Sequence, residues 1–289
     1  MARTCNVCES ATEVAGLEEA SVRSNVTAFR SEQFCYWRCA HCRSLHARDE
    51  VDLGHYYAGY PLHDIRDNDV AVRIVYQSQL ARLVRAGLTR DHAIIDYGCG
   101  AGAFVRFMRT AGYRNAVGFD EYNSQFCDRE VLERRYDFVL SQDVLEHVPS
   151  PLALLDQFAK LARPAGVIAI GTPDAQVLDL KRAEAFVHEL HAPYHRHIVA
   201  AEALVVAGER RGWALQRKYS TTYANTRIPC MNEAFVSYCI RLAGNDLDHL
   251  LAPVRWGRLF WRAPVALFLA LFGSFLSRRA DVMLMFRNA

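Results

Sequence analysis

Between Ala93 and Gly171, short apolar runs alternate with stretches of helical spacing. Ala93–Tyr97, Ala116–Phe119, Phe138–Gln142 and Val167–Gly171 are largely apolar and of strand length. Ala103–Arg109 and Pro151–Leu161 fall between them and read as helices. Buried strands separated by helices predict a mostly parallel, doubly wound α/β sheet with helices on both faces. The pattern continues with a predicted helix over His197–Arg210, a strand over Trp213–Ser220 and a last strand over Asp281–Arg287. Upstream, Val72, Val75, Leu80, Leu83 and Val84 recur at roughly helical spacing between Asn68 and Ala86, and Gly87 ends that helix. Val22–Phe29 and Gln33–Arg38 predict two short strands nearer the N-terminus.

In such sheets a ligand sits beyond the carboxyl ends of the strands. The first end, Ile94-Ile95-Asp96-Tyr97-Gly98-Cys99-Gly100-Ala101-Gly102, has the grammar of strand, glycine turn and helix start. Glycine permits unusual backbone angles and close approach of a ligand, and the helix start offers unpaired N–H groups. Asp120 ends the next predicted strand, where an acid can accept from both hydroxyls of a ribose. A nicotinamide cofactor and a methyl donor both fit so far. Three features separate them: the spacing is G-x-G-x-G, Asp96 stands two residues before the first glycine, and the third run continues as Tyr136-Asp137-Phe138-Val139-Leu140-Ser141-Gln142-Asp143-Val144-Leu145-Glu146-His147-Val148-Pro149.

From Ala93 to Trp213 the chain resembles class I S-adenosylmethionine-dependent methyltransferases, in particular a large bacterial group with a D-V-L-E-H-V segment and a later P-G-G…T-P turn. Here that turn reads Arg163-Pro164-Ala165-Gly166 and Gly171-Thr172-Pro173, with alanine in place of the first glycine. The resemblance implies a seven-stranded sheet and S-adenosylmethionine as cofactor. It implies that Asp96 and the N–H groups of Gly98, Gly100 and Gly102 hold the amino-acid portion, that Asp120 holds the ribose, and that Gln142 lines the methyl-donor cleft. One departure concerns the third strand: the interval from Asp120 to Asp137 is little more than the roughly twelve residues of one crossover, so this strand is expected to be rudimentary or lost.

Cys5-Asn6-Val7-Cys8 and Cys39-Ala40-His41-Cys42 are two C-x-x-C pairs, and four thiolates make a closed structural zinc site. The metal ligands expected are Cys5, Cys8, Cys39 and Cys42, with Cys35, His41 and His46 as substitutes. Zinc-ribbon N-termini on this domain resemble a set of enzymes that methylate sugars and other small metabolites. The expected domains are a zinc module over 1–60 and a methyltransferase domain over 61–289 with a helical insertion at about 221–280. The cysteine pairs, with no apolar segment after Met1, point to a reducing, cytoplasmic setting. The tyrosines of His55-Tyr56-Tyr57-Ala58-Gly59-Tyr60-Pro61 could line a binding cleft, each offering a ring and a hydroxyl, but at least two of the three are expected instead to join the zinc module to the main domain.

Methyl transfer to a hydroxyl needs a base, and histidine suits neutral pH. His147 lies just past the predicted strand that carries Gln142, and His191 and His195 lie in the segment that follows the strand ending near Thr172, expected to reach the mouth of the site; these are the candidates, and His197 belongs to the same cluster. Asp143, Glu146 and His147 would share one face of a helix and there could hold a divalent cation. In the C-terminal insertion, Pro253–Arg262 mixes arginines with Trp256, Phe260 and Trp261, and Arg278-Arg279 follow the apolar Ala263–Leu276. That apolar run, about fourteen residues, is too short to span a bilayer. A buried lid or homodimer helix is the first expectation for 253–279, and a peripheral membrane contact the second. The net charge of +2 speaks against nucleic acid as partner. The sequence therefore reads as a methyltransferase for a small-molecule acceptor, a sugar, nucleotide-sugar or other biosynthetic intermediate, methylated at oxygen or carbon. The alternatives are an RNA methyltransferase gripping RNA with its zinc module and a non-catalytic binding protein on the same fold.

Overall fold

The computed structural model describes residues 2–13, 15–57, 70–242, 244–248, 263–276 and 280–289. Tyr60, Pro253–Arg262 and Arg278–Arg279 lie outside the described residues. The N-terminal part holds β1 (Ala2–Thr4) paired with β2 (Ala11–Glu13), then the antiparallel β3 (Glu19–Arg23), β4 (Gln33–Arg38) and β5 (Leu45–Ala47). The strand expected over Val22–Phe29 is therefore shifted: β3 stops at Arg23, and Thr27–Phe29 form a 3-10 turn. Ser24 causes the break, its hydroxyl accepting from the Val26 N–H. Two helices follow, α1 (Leu53–Tyr57) and α2 (Val70–Arg85), the latter ended by Gly87 at φ 103°.

The main sheet begins with β6 (Ile94–Tyr97), α3 (Ala103–Thr110), β7 (Ala116–Phe119), β8 (Tyr136–Gln142), α4 (Pro151–Leu161) and β9 (Ala162–Pro173). Ser150 starts α4 by accepting from Ala153 N, with Pro151 in the first turn. After β9 come α5 (Val187–Leu190), β10 (His197–Ile198), α6 (Ala201–Glu209), β11 (Ala214–Tyr219), α7 (Glu233–Leu242), α8 (Pro264–Phe272) and β12 (Asp281–Arg287). The strand order is β11-β12-β9-β8-β6-β7, with β9, β8, β6 and β7 parallel and the last two strands antiparallel at one edge. Alternate residues of each strand feed opposite faces. Ile95, Val139 and Ile168 pack toward α4 and α6, while Ile94, Phe138 and Val167 pack toward α2 and α3.

Two sequence expectations change here. The sheet has six strands among the described residues, not seven. The link from Asp120 to Tyr136 forms local turns instead: Asn123 and Asp128 accept from the backbone two residues on, and Arg129–Glu133 are a 3-10 turn. The helix expected over His197–Arg210 starts only at Ala201. His197 and Ile198 are drawn off as β10, pairing antiparallel with His46 and Leu45 of β5. The N-terminal four-stranded sheet is thus ordered β10-β5-β4-β3, with one strand supplied from between α5 and α6.

Candidate functional site

The glycine turn sits at the carboxyl end of β6. Gly98, Gly100 and Gly102 all have positive φ, at 80°, 54° and 73°. A Cβ at Gly98 would run into the Val144 side chain, and one at Gly102 into the Phe126 ring, so the backbone lies tight against both. Asp120, at the end of the neighbouring β7, closes the turn: its Oδ2 accepts from Gly100 N at 2.8 Å and its Oδ1 from Tyr122 N at 2.9 Å. Asp96 is buried beneath it. Burial, and then the nearby Asp120, push its carboxyl up to about 7. At the end of β8, Gln142 folds over Gly171, donating to Asp143 Oδ1 at 2.8 Å. Its Oε1 is buried with no hydrogen-bond partner among the described residues. Asp143 keeps accessible surface on the cleft floor although protein surrounds it, and that surround pushes its carboxyl up to about 6 against the Gln142 hydrogen bond.

The three candidate histidines converge although His147 follows β8 and the others follow α5. Ring centroids lie 4.6 Å apart for His147 and His195, 5.0 Å for His191 and His195, and 6.4 Å for His147 and His191. Each is oriented by a polar neighbour. Tyr57 Oη lies 2.9 Å from His147 Nδ1, His195 Nδ1 is 2.7 Å from the Glu189 carbonyl, and His191 Nδ1 is 2.7 Å from Asn25 Oδ1. Burial lowers all three, His147 to about 4, so the rings are neutral near pH 7. Glu146 lies under them, 1% exposed, with Oε2 accepting from Thr172 Oγ1 at 3.0 Å. Its Oε1 has no hydrogen-bond partner among the described residues and lies 4.0 Å from His195 Nε2. Burial and then Asp143 raise its carboxyl well above the usual range.

The cation group expected at Asp143, Glu146 and His147 is corrected by this geometry. The segment after β8 is a bend and turn, not a helix, and Asp143 takes a positive φ of 56° that turns it out of the cluster. The ligand atoms that come within 4.8 Å of one another belong to Glu146, His147 and His195.

Residues 72–218 match the family model described as "Methyltransferase domain", just over half of the chain. The chain belongs to that family. Among curated proteins it is similar to the ubiquinone biosynthesis O-methyltransferase of Aliivibrio fischeri (strain MJ11), 28% identical over an alignment of 101 residues, the match covering 27% of this chain and 43% of that protein. It is also similar to the enzyme of the same name from Aeromonas salmonicida (strain A449), 25% identical over 159 residues, 45% of this chain and 66% of that one. The chain thus spans less than two thirds of the length of these relatives. Among solved structures, an S-adenosylmethionine dependent methyltransferase from Mesorhizobium loti is 15% identical, covering 71% of this chain and 96% of that chain, with a TM-score of 0.43.

In this member of the methyltransferase-domain family the N-terminal cysteines lie beside the histidine segment. Cys5 and Cys42 sulfurs are 3.5 Å apart and those of Cys8 and Cys39 3.7 Å, all four within 4.8 Å of one another. A tetrahedral zinc with Zn–S bonds of ~2.3 Å separates its sulfurs by ~3.8 Å, so the set fits that metal. Val7 and Cys8 N–H groups point at Cys5 Sγ, and His46 Nε2 lies 3.1 Å from it. His46 therefore stands behind a cysteine and does not replace one. Cys35 is held elsewhere, its N–H donating to Asp49.

Several residues of the site were not singled out by sequence. Tyr36 Oη lies between the carbonyls of Leu190 and His195, at 2.8 and 2.7 Å. Asn25 reaches both His188 and His191. Tyr57, expected as packing, is aimed at His147, whereas Tyr56 does pack, against Phe29 and Phe34 with its hydroxyl on Glu32. Burial, and then the charge of Asp143, raise the Tyr223 hydroxyl well above its usual range. No local motif announces these residues, since each meets its partner across a long chain separation.

Proposed function

We propose that this chain is an S-adenosylmethionine-dependent methyltransferase acting on a small-molecule acceptor. The observation that carries the reading is the glycine turn closed by Asp120 over the buried Asp96. The residues fit the cofactor's chemistry: at Gly100 a Cβ would meet nothing within 4 Å, so a side chain there would stand in the open space beside the turn, and the exposed Asp143 adds a carboxyl group suited to a sulfonium. The unpartnered Gln142 Oε1 supports the same reading. When bound, S-adenosylmethionine supplies a methyl group already activated for in-line transfer. Asp120 would accept from the ribose hydroxyls and Asp96 would face the amino-acid portion, whereas the N–H groups of Gly98, Gly100 and Gly102, expected to hold that portion, are taken by the Phe119 carbonyl, Asp120 and the Cys99 carbonyl.

For an oxygen acceptor, His195 serves as base through Nε2, since Nδ1 is committed to the Glu189 carbonyl. Glu146 Oε1 lies 4.0 Å from that same nitrogen, beside the proton it takes up. His147, held by Tyr57, and His191, held by Asn25, orient the acceptor. The acceptor is a sugar, nucleotide-sugar or other biosynthetic intermediate; the names of the ubiquinone relatives favour a hydroxyl. Zinc held by Cys5, Cys8, Cys39 and Cys42 serves structure. Calorimetry tests the core of this reading: S-adenosylhomocysteine should bind the wild type and bind Asp120→Ala at least about tenfold more weakly. Absence of binding to the wild type would remove it.

A second reading rests on the Glu146, His147 and His195 group, which could hold a divalent cation that polarises the acceptor hydroxyl. Turnover lost on chelation and restored by magnesium, with the cysteine-bound zinc retained, would select it over the histidine base.

A further inference from the structure

We propose that α8 and the basic cavity beside it form a peripheral binding face for an anionic lipid bilayer. The helix reads Pro-Val-Ala-Leu-Phe-Leu-Ala-Leu-Phe and has no polar side chain. It buries Ala266 and Ala270 against Phe235 of α7. Leu267, Phe268, Leu271, Phe272, Phe275 and Leu276 are left between 49% and 74% exposed. Six large apolar side chains on one continuous stretch far exceed the scattered exposure that a soluble surface tolerates. At nine residues α8 is ~13.5 Å long, against the ~30 Å of a bilayer's hydrocarbon core, so it can lie in the interface and cannot cross.

Charge selects the occupant. Beside α8 lies a cavity of about 610 Å³ lined by Arg82, Arg85 and Arg227, with no acidic residue in its lining. The cavity wall is tied to the helix: Asn225 Nδ2 donates to the Ser274 carbonyl at 3.1 Å, and Cys230 N to the Ala270 carbonyl at 3.0 Å. Arg82 is engaged by the Thr221 and Thr222 carbonyls and stacks over Tyr219, whereas Arg85 and Arg227 form no ion pair among the described residues. An apolar face rimmed by cations matches acyl chains beneath phosphate-bearing headgroups. A second copy of the same face would set arginines against arginines, and juxtaposed like charges oppose association.

The full-length protein should be sedimented with vesicles of phosphatidylcholine alone and of phosphatidylcholine mixed with phosphatidylglycerol. The wild type should pellet with the mixed vesicles only, and high salt should release it. The double variant Phe268→Glu, Leu271→Glu should bind at least about tenfold more weakly. Arg85→Gln with Arg227→Gln should flatten the salt dependence. Equal pelleting with both vesicle types, or none with either, overturns the proposal. So does unchanged pelleting of a folded double-glutamate variant, with folding checked by circular dichroism; if that variant fails to fold, the wild-type arms decide alone. A wild-type dimer in light scattering that the glutamates dissociate, without vesicle binding, would assign the face to a second copy. Binding is read without turnover, so its failure is distinct from failure of the methyl-transfer reading.

Discussion

Asp96 is a carboxyl group with almost no water around it and a second carboxyl, Asp120, nearby. Its value of about 7 in the fold exceeds that of an unfolded aspartate. The native state therefore holds the proton more tightly. The stability this gives is fully present below the unfolded value near 3.9 and is lost as pH rises through about 7. In cofactor-free protein, Asp96→Asn should come nearest the wild type below about pH 4 and exceed its melting temperature at pH 8; a melting difference that does not grow with pH would contradict the burial argument. The histidines give a second residue-scale expectation. His195→Gln should lower kcat by roughly 10²–10⁴-fold with S-adenosylmethionine affinity retained, because the proton acceptor is lost and the cofactor cradle is not. Tyr57→Phe should cost less, since its hydroxyl orients His147 and takes no proton. Equal losses in the two variants would show that the histidine cluster works only as a packed unit.

The turn between β6 and α3 and the sheet that carries Arg38 make the element-scale case. Gly102 caps α3 in the left-handed region with the Phe126 ring against its Cα. Gly102→Ala adds both backbone strain and a clash, costing roughly 1–3 kcal/mol and displacing the N–H groups of the turn. Calorimetry should show weakened S-adenosylhomocysteine binding, and a full-strength complex would count against the cradle. Arg38, on β4, is 3% exposed and reaches across to the carbonyls of Ala175 and Leu178, with Glu18 at 2.9 Å as its ion-pair partner. Arg38→Met leaves those carbonyls unpaired in the interior and should destabilise the protein by about 3 kcal/mol in denaturant unfolding. A change below about 1 kcal/mol would mean that water replaces the guanidinium.

For the whole molecule the consequence lies in how the cysteine set is connected to the cleft. The chain of contacts runs from Cys5 to His46, from His46 to His197 at 3.4 Å, and on through β5 and β10 to the segment bearing His195. Tyr36 and Asn25 fasten the same segment from the N-terminal sheet. Removal of zinc, by chelator or by Cys39→Ser, should therefore lower the melting temperature and speed amide exchange at Arg196–Ile198 as well as at residues 2–13. It should also reduce kcat more than cofactor affinity. Exchange confined to the cysteine turns would show that the N-terminal part is only an appendage. The C-terminal helix enters at this scale too. A buried lid or homodimer helix was the first expectation for 253–279, and within the chain α8 buries little beyond its alanines and leaves its large side chains outside, unlike a lid.

Local chemistry made the Asp96–Gly102 turn, Asp120 at its strand end and the two cysteine pairs legible from the sequence. Glycine spacing, an acid at a strand end and C-x-x-C turns are short-range patterns whose meaning does not depend on distant residues. The gathering of His147, His191 and His195 was legible only as a tendency of strand ends to meet. Tertiary structure decided the rest. It replaced Asp143 by His195 beside Glu146 and His147, because the bend after β8 sets Asp143 apart. It took His197 out of a helix and into a strand, because β5 offered backbone partners that a helix start could not match. It brought Tyr36, Asn25 and Tyr57 to the histidines across separations of 159, 166 and 90 residues, which no periodicity along the chain encodes.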